Sequence, residues 1–263
     1  LEKDETSATG KERERLRRFR IGCEAQFQYA KIYRAYAQAM NKRDKKSVKK
    51  LKELVSEYEK FWKDNNVRQL SSPALLKIAK AQSEIKFSEL KPVSRKELVD
   101  QKRWKQELFA GAKVPDKIAD LFPLPEVWNF RLDYKNEGLK DQWFKTKNAD
   151  SKNWQAISSW NFVDSQGYNN VGGNFWYRVS FKAPTFTKGK KIFLRIGSLD
   201  DSGDVYLNGV KVGSQPDLNN WDKSFAMDVT KYIKPSQENT LVVHGYDSFG
   251  GCGVWRPSAL YTE

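Results

Sequence analysis

Histidine occurs once in the 263 residues, and cysteine and methionine only twice each. A lone histidine, His244, leaves no partner for a zinc site or for a nucleophile–base pair. Cys23 and Cys252 lie far apart and read as two idle thiols; a disulfide would require the two halves of the chain to meet there. No apolar run reaches the ~18 residues that a membrane span needs, so no membrane partner is expected. The stretch GSLDDSGDVYLNG is rich in glycine, but it lacks the lysine and the following helix of a phosphate-binding loop. No spacing sets two carboxylates across a substrate for general acid–base work. No catalytic residue is assigned. The chain also lacks an initiating methionine and a hydrophobic signal core, and it reads as a piece of something longer.

Positive charge is abundant. There are 47 Lys and Arg against 33 Asp and Glu, a net charge of +14. The excess is uneven: residues 1–120 hold about 30 basic against about 18 acidic residues. It falls on segments with helical periodicity, where solvated faces account for it, and nucleic acid is not expected as a partner. Aromatics make up 13% of the chain, with nine tryptophans, which argues against disorder beyond the first ten or so residues.

Two periods divide the chain. Over residues 12–64 apolar residues recur at steps of three and four: Leu16, Phe19, Cys23, Phe27, Ala30, Tyr33, Ala37 and Met40, then Val48, Leu51, Leu54, Val55, Tyr58, Phe61 and Trp62. A short polar break at 41–46 joins them as an antiparallel helical hairpin. Ser72 before Pro73 marks a further helix start, and Ser94 with Glu97 forms a capping box for another. Residues 1–110 are therefore expected to be a helical hairpin or bundle, and 111–124, punctuated by Gly111, Pro115 and Pro123, a linker. From 125 to 263 the period is two. In FWYRVSF, Phe175, Tyr177, Val179 and Phe181 share one face. In DVYLNGVKVG, Asn208-Gly209 is a two-residue hairpin turn. The expected fold class is α+β in two domains, helices followed by an antiparallel β-sandwich of jelly-roll type.

Chemistry, where it exists, lies in loop aromatics. Trp143, Trp154 and Trp160 fall in irregular sequence, Trp221 between two turn signals, and Trp255 after the glycine-rich run DSFGGCG. Indoles stacking on the apolar faces of a sugar, with Asp, Asn and Arg bonding its hydroxyls, are the physical means of carbohydrate recognition. Aromatics also fill sandwich cores, so core packing and ligand contact both stay open for each.

The ordered set FWYRVSF, GSLDDSGDVYLNGVKVG, FAMDVTKYIKPSQENTLVV and DSFGGCGVWRP resembles the sugar-binding domain of family 2 glycoside hydrolases. That domain is a jelly roll with the galactose-binding-like fold, and the resemblance covers about residues 125–263. It implies that the domain is mostly scaffold, with two loops reaching the sugar. One carries an asparagine, here Asn169 or Asn170; the other an aspartate, here Asp247. Trp255 and Arg256 lie on the same rim, with Trp160 and Trp221 as further ligand candidates. The fold also implies a structural calcium, with Asp200, Asp201 and Asp204 as ligands. The expectation is a non-catalytic carbohydrate-binding or supporting region of a larger glycoside hydrolase, secreted or periplasmic. Its partners would be an oligo- or polysaccharide and an upstream catalytic domain of the same protein. The alternative is an interaction scaffold without a sugar site, its basic helices docking a partner.

Overall fold

The structure, a computed structural model, describes residues 8–65, 67, 73–87, 101–145, 153–168, 170–248 and 250–263. The chain divides into two compact units, Leu1–Lys86 and Phe87–Glu263.

The first unit contains helices α1 (Gly10–Lys42), α2 (Lys45–Asp64) and α3 (Pro73–Ser83). Asp44 caps α2, its carboxylate accepting from the Ser47 amide at 2.7 Å. The chain reverses through Arg43, held at φ 51°. Leu51, Val55, Tyr58 and Trp62 form the buried stripe of α2. On α1 the buried face is Ile21, Ala25, Ile32, Tyr36, Ala37 and Met40. This corrects the sequence expectation for α1, because Phe19 and Phe27 are 61% and 58% exposed and Cys23 is exposed too. The reason is geometric. At 1.5 Å per residue, α1 is about 50 Å long and α2 about 30 Å, so α2 cannot cover the first turns of α1. Phe27 also lies two residues, about 200°, around the helix from Ala25. Its ring carries the Lys31 ammonium 4.3 Å from the centroid instead. Ser72 and the Ser94–Glu97 capping box lie outside the described residues.

In the second unit every strand pairing is antiparallel. The strands are β1 (Leu121–Pro123), β2 (Val127–Leu132), β3 (Gln155–Ser158), β4 (Gly173–Lys182), β5 (Ile192–Ile196), β6 (Leu199–Asp200), β7 (Ser202–Leu207), β8 (Val210–Gln215), β9 (Phe225–Asp228), β10 (Glu238–Asp247), β11 (Gly253–Val254) and β12 (Ala259–Thr262). A six-stranded sheet has the order β3-β2-β4-β10-β7-β8, a four-stranded sheet β1-β12-β5-β9, and β11 pairs with β6. This is an antiparallel β-sandwich preceded in sequence by a helical region.

Register explains the core. Phe130, Tyr177, Val243 and Val205 lie across one row of the large sheet, and all are fully buried. Gly245 sits in the neighbouring row because a Cβ there would stand 2.1 Å from the Phe175 ring. Asn208 and Gly209 take φ of 54° and 83°, as a two-residue hairpin requires.

The other face of that sheet is also covered. Trp176, Val242 and Tyr206 pack with Trp143, and Phe144 and Trp154 close over them. The Arg178 guanidinium donates to the Trp143 carbonyl and lies 4.8 Å from the Trp154 ring. His244 stacks on Trp176 at 4.3 Å and meets Asn174 Oδ1 at 2.9 Å. It is a packed sheet residue.

A fourth helix, α4 (Gln101–Leu108), belongs to the second unit, although its helical period grouped it with residues 1–110. Leu108 and Phe109 pack on Ala259, and Phe109 meets the Tyr261 ring edge-on at 5.8 Å. The helix therefore covers the outer face of the small sheet.

Candidate functional site

The glycine-rich run Asp247–Gly253 closes one end of the sandwich. Gly250 and Gly253 have φ of 111° and 105°, a region closed to most side chains. A Cβ on Gly253 would lie 2.3 Å from Tyr177 Oη. A Cβ on Gly251 would touch the Phe162 ring at 3.0 Å and stand 3.5 Å from Asp200 Oδ2. The glycines thus let this loop lie flat on the end of the core and bring Trp255 to the surface.

There Trp255 joins a stack. Its ring centroid lies 4.4 Å from that of Phe162 and 5.8 Å from that of Trp221, with interplanar angles of 19° and 25°. The Trp255 indole N–H donates to the Trp221 carbonyl at 3.1 Å. Trp221 is 43% exposed and Trp255 half-buried. Three separate loops therefore bring three near-parallel rings together as one aromatic ladder, of which Trp221 is the most exposed. Trp160, by contrast, is buried, as are Trp143 and Trp176. Asn170 is exposed at φ 48°, and Asn169 lies outside the described residues.

Arg256 is engaged inside the fold. Its guanidinium pairs with Glu107 at 3.1 Å, donates to Ser198 Oγ at 3.2 Å and to the Asp222 carbonyl, and rests 4.0 Å from the Trp255 ring. Those contacts fix the loop that carries Trp255 to α4 and to the loop that carries Trp221.

Beside the ladder lies a carboxylate cluster. Asp200, Asp201 and Asp247 each offer an oxygen, all within 4.8 Å of one another. Asp247 ends β10 on the inward parity, so its side chain is fully buried, and neither carboxylate oxygen has a hydrogen-bond partner among the described residues. Burial, with Asp201 and Asp164 nearby, raises it to about 7. Burial and the neighbouring Asp201 raise Asp200 to about 8. Burial also pushes Asp201 up, but the Ser248 hydroxyl and amide, donating at 2.6 Å and 2.8 Å, outweigh it and hold Asp201 below the usual value. The buried Cys252 thiol is pushed well up by burial and by these acids, which leaves it unreactive. Three oxygen donors of this kind could hold a hard cation such as calcium.

The expected calcium ligands Asp200, Asp201 and Asp204 thus come together only in part. Asp204 points to the opposite face of the large sheet, opposite His244, and pairs with Lys211 at 2.7 Å. Asp247 takes its place. Two members of the site were not assigned from sequence: Phe162 as the base of the ladder and Asp164 beside the acids. Neither has a local signal, since the stack joins positions 162, 221 and 255.

Residues 132–249 match the family model of the glycosyl hydrolase 2 galactose-binding domain-like proteins. A beta-glucuronidase of Formosa agariphila is 32% identical over 130 residues, 44% of this chain and 13% of that protein. A beta-glucuronidase of Paenibacillus borealis is 27% identical over 138 residues, 52% of this chain and 22% of that protein. The crystal structure of Ruminococcus gnavus beta-glucuronidase aligns with a TM-score of 0.48 at 20% identity, covering 57% of this chain and 30% of that one. The chain thus spans between about a tenth and a quarter of the curated relatives it matches, and the match falls on their galactose-binding-like part.

Proposed function

We propose that the second unit is a non-catalytic, carbohydrate-contacting module of a longer glycoside hydrolase, and that the Phe162–Trp255–Trp221 ladder is its sugar platform. The observation that carries this reading is the exposed Trp221 ring, near-parallel to a second indole that also stacks with Phe162. A rigid aromatic surface of this kind loses little entropy when a pyranose ring lies on it. Asn170, exposed and next to Asp164, supplies a polar group at the same end of the sandwich. The relatives' names make β-glucuronides the first saccharides to try. Catalysis would reside in a domain outside this sequence.

The test is a glycan array spanning neutral, acidic and sulfated saccharides, with hits confirmed by tryptophan fluorescence. A saturable hit that Trp221→Ala abolishes supports the reading. Silence across all three classes would reduce the unit to structural support for its neighbours.

A further inference from the structure

We infer that a cleft on the outer face of the small sheet binds a small organic oxyanion, one carrying a carboxylate, sulfate or phosphate group, with Arg195 as its counter-charge. The site uses none of the ladder residues, and the inference does not rest on the proposed function.

The cleft has a volume of about 650 Å³, which suits a small organic molecule better than a bare ion. One wall is the segment 113–117 that follows α4, and the other comes from β5, β12 and the residues flanking them. Strand parity sets the central side chain. Ile192, Leu194 and Ile196 of β5 are buried on one face, which turns Arg195 to the other. There it lies across from Ala259, on which Leu108 and Phe109 pack.

Arg195 carries the argument. It is only 6% exposed, and no carboxylate pairs with it among the described residues. Its Nη1 donates to Ser224 Oγ at 2.9 Å and its Nη2 to the Tyr261 hydroxyl at 3.4 Å. The buried Nε–H has no partner among the described residues. The Phe109 and Tyr261 rings lie 4.5 Å and 5.6 Å from the guanidinium carbon and hold the fork in place. A guanidinium keeps its charge and offers five N–H donors. A buried charge is costly until an opposite charge reaches it.

The surrounding charge has the same sign. Among the described residues that line the cleft, Lys113, Lys117, Lys190 and Arg195 stand against Asp116 and Glu263. Asp116 is already matched by Lys113 at 3.7 Å. Lys117 and Lys190 are exposed and can swing onto a ligand, while Glu263 opposes an anion. A planar fork grips a carboxylate, sulfate or phosphate through two oxygens, and lysines act on the same group as mobile point charges.

The experiment titrates the whole chain by calorimetry with sodium glucuronate, sodium sulfate and sodium phosphate in turn. Glucose is the uncharged match, and ionic strength is held at about 0.15 M to screen the other basic residues. The side-chain Nε–H resonance of Arg195 gives a second readout. Saturable one-to-one binding of at least one anion is expected, with that resonance moving in step and no binding of glucose at this site. Preference for glucuronate would support a carboxylate ligand, and preference for sulfate or phosphate a tetrahedral oxyanion. Arg195→Lys keeps the charge but loses the fork and should weaken binding about tenfold. Because Arg195 is packed against Phe109, exposed residues carry the test if that variant unfolds. Lys117→Gln and Lys190→Gln should each weaken binding about threefold, and Glu263→Gln should tighten it by about the same factor. Lys182→Gln, on the large sheet, should bind as the parent does. Trp221→Ala should keep the anion while losing any saccharide on the ladder, so the two readings fail independently. The inference is overturned by absence of saturable binding of all three anions up to about 50 mM. Binding left unchanged by both lysine variants and by Glu263→Gln, or an Arg195 resonance that stays still at saturation, would overturn it as well.

Discussion

Gly253→Ala should be among the most damaging single-methyl additions in the sandwich, and the structure says by how much. The residue sits at φ 105°, where an L side chain strains the backbone by ~1–3 kcal/mol. The added Cβ would also overlap Tyr177 Oη at 2.3 Å and Val163 Cγ2 at 2.6 Å. Both residues are fully buried, so neither can swing into solvent. Overpacking of this kind costs ~1–3 kcal/mol. The total of ~2–6 kcal/mol is a large share of a typical domain stability of ~5–15 kcal/mol. Gly250 supplies the control. Its φ is 111°, but nothing lies within 4 Å of its would-be Cβ, so Gly250→Ala carries the backbone cost of ~1–3 kcal/mol alone. Hydrogen exchange of the β10 amides reports the stability of the second unit without mixing in the first. Loss of protection in Gly253→Ala should exceed that in Gly250→Ala by more than 1 kcal/mol. Equal losses would refute the claim that the loop is glycine-rich because it lies flat on Tyr177.

Other substitutions separate packing from binding. Trp221→Ala should change stability by less than ~1 kcal/mol, since the ring is 43% exposed, yet remove saccharide binding. Trp176→Ala, at a fully buried position, should cost ~3–5 kcal/mol in urea unfolding of the second unit. Asp44→Ala removes the cap of α2 and should cost the first unit ~1 kcal/mol, read by the loss of helical circular dichroism on heating. Burial lowers His244 below 6.5, outweighing the nearby Asp204 and Asp133. Between the two values the unfolded chain holds a proton that the folded one does not. The stability is therefore complete above about 6.5 and falls as pH drops toward the folded value, and His244→Gln should flatten that slope.

Much of the sandwich is legible in the sequence because strand parity is strict. The alternation in FWYRVSF places Tyr177 inward, and the Asn208-Gly209 turn fixes the β7–β8 hairpin. Parity also puts Asp204 on the outer face with Tyr206, while Val205 faces in, but it does not separate Asp204 from Asp200, which lies in another strand, β6. Helical period is a weaker guide, since it groups residues without saying which face meets a partner. On α1 the strongest aromatic positions, Phe19 and Phe27, lie where α2 does not reach. α4 reads as one more helix of the first half, yet it packs on β12, because Phe109 and Leu108 find the small sheet's outer face. The ladder and the acid cluster are illegible for another reason. Each joins residues from separate loops, and only the sandwich brings positions 162, 221 and 255, or 200 and 247, together.

The central claim is that one end of the sandwich meets a saccharide through its exposed aromatic ladder. Indole N–H resonances of the nine tryptophans, followed while an array-positive oligosaccharide is added, test it most directly. The account predicts that the Trp221 and Trp255 signals move saturably, while those of the buried Trp128, Trp143 and Trp176 stay in place. Movement confined to other tryptophans, or none from Trp221 and Trp255 at saturating saccharide, would contradict it.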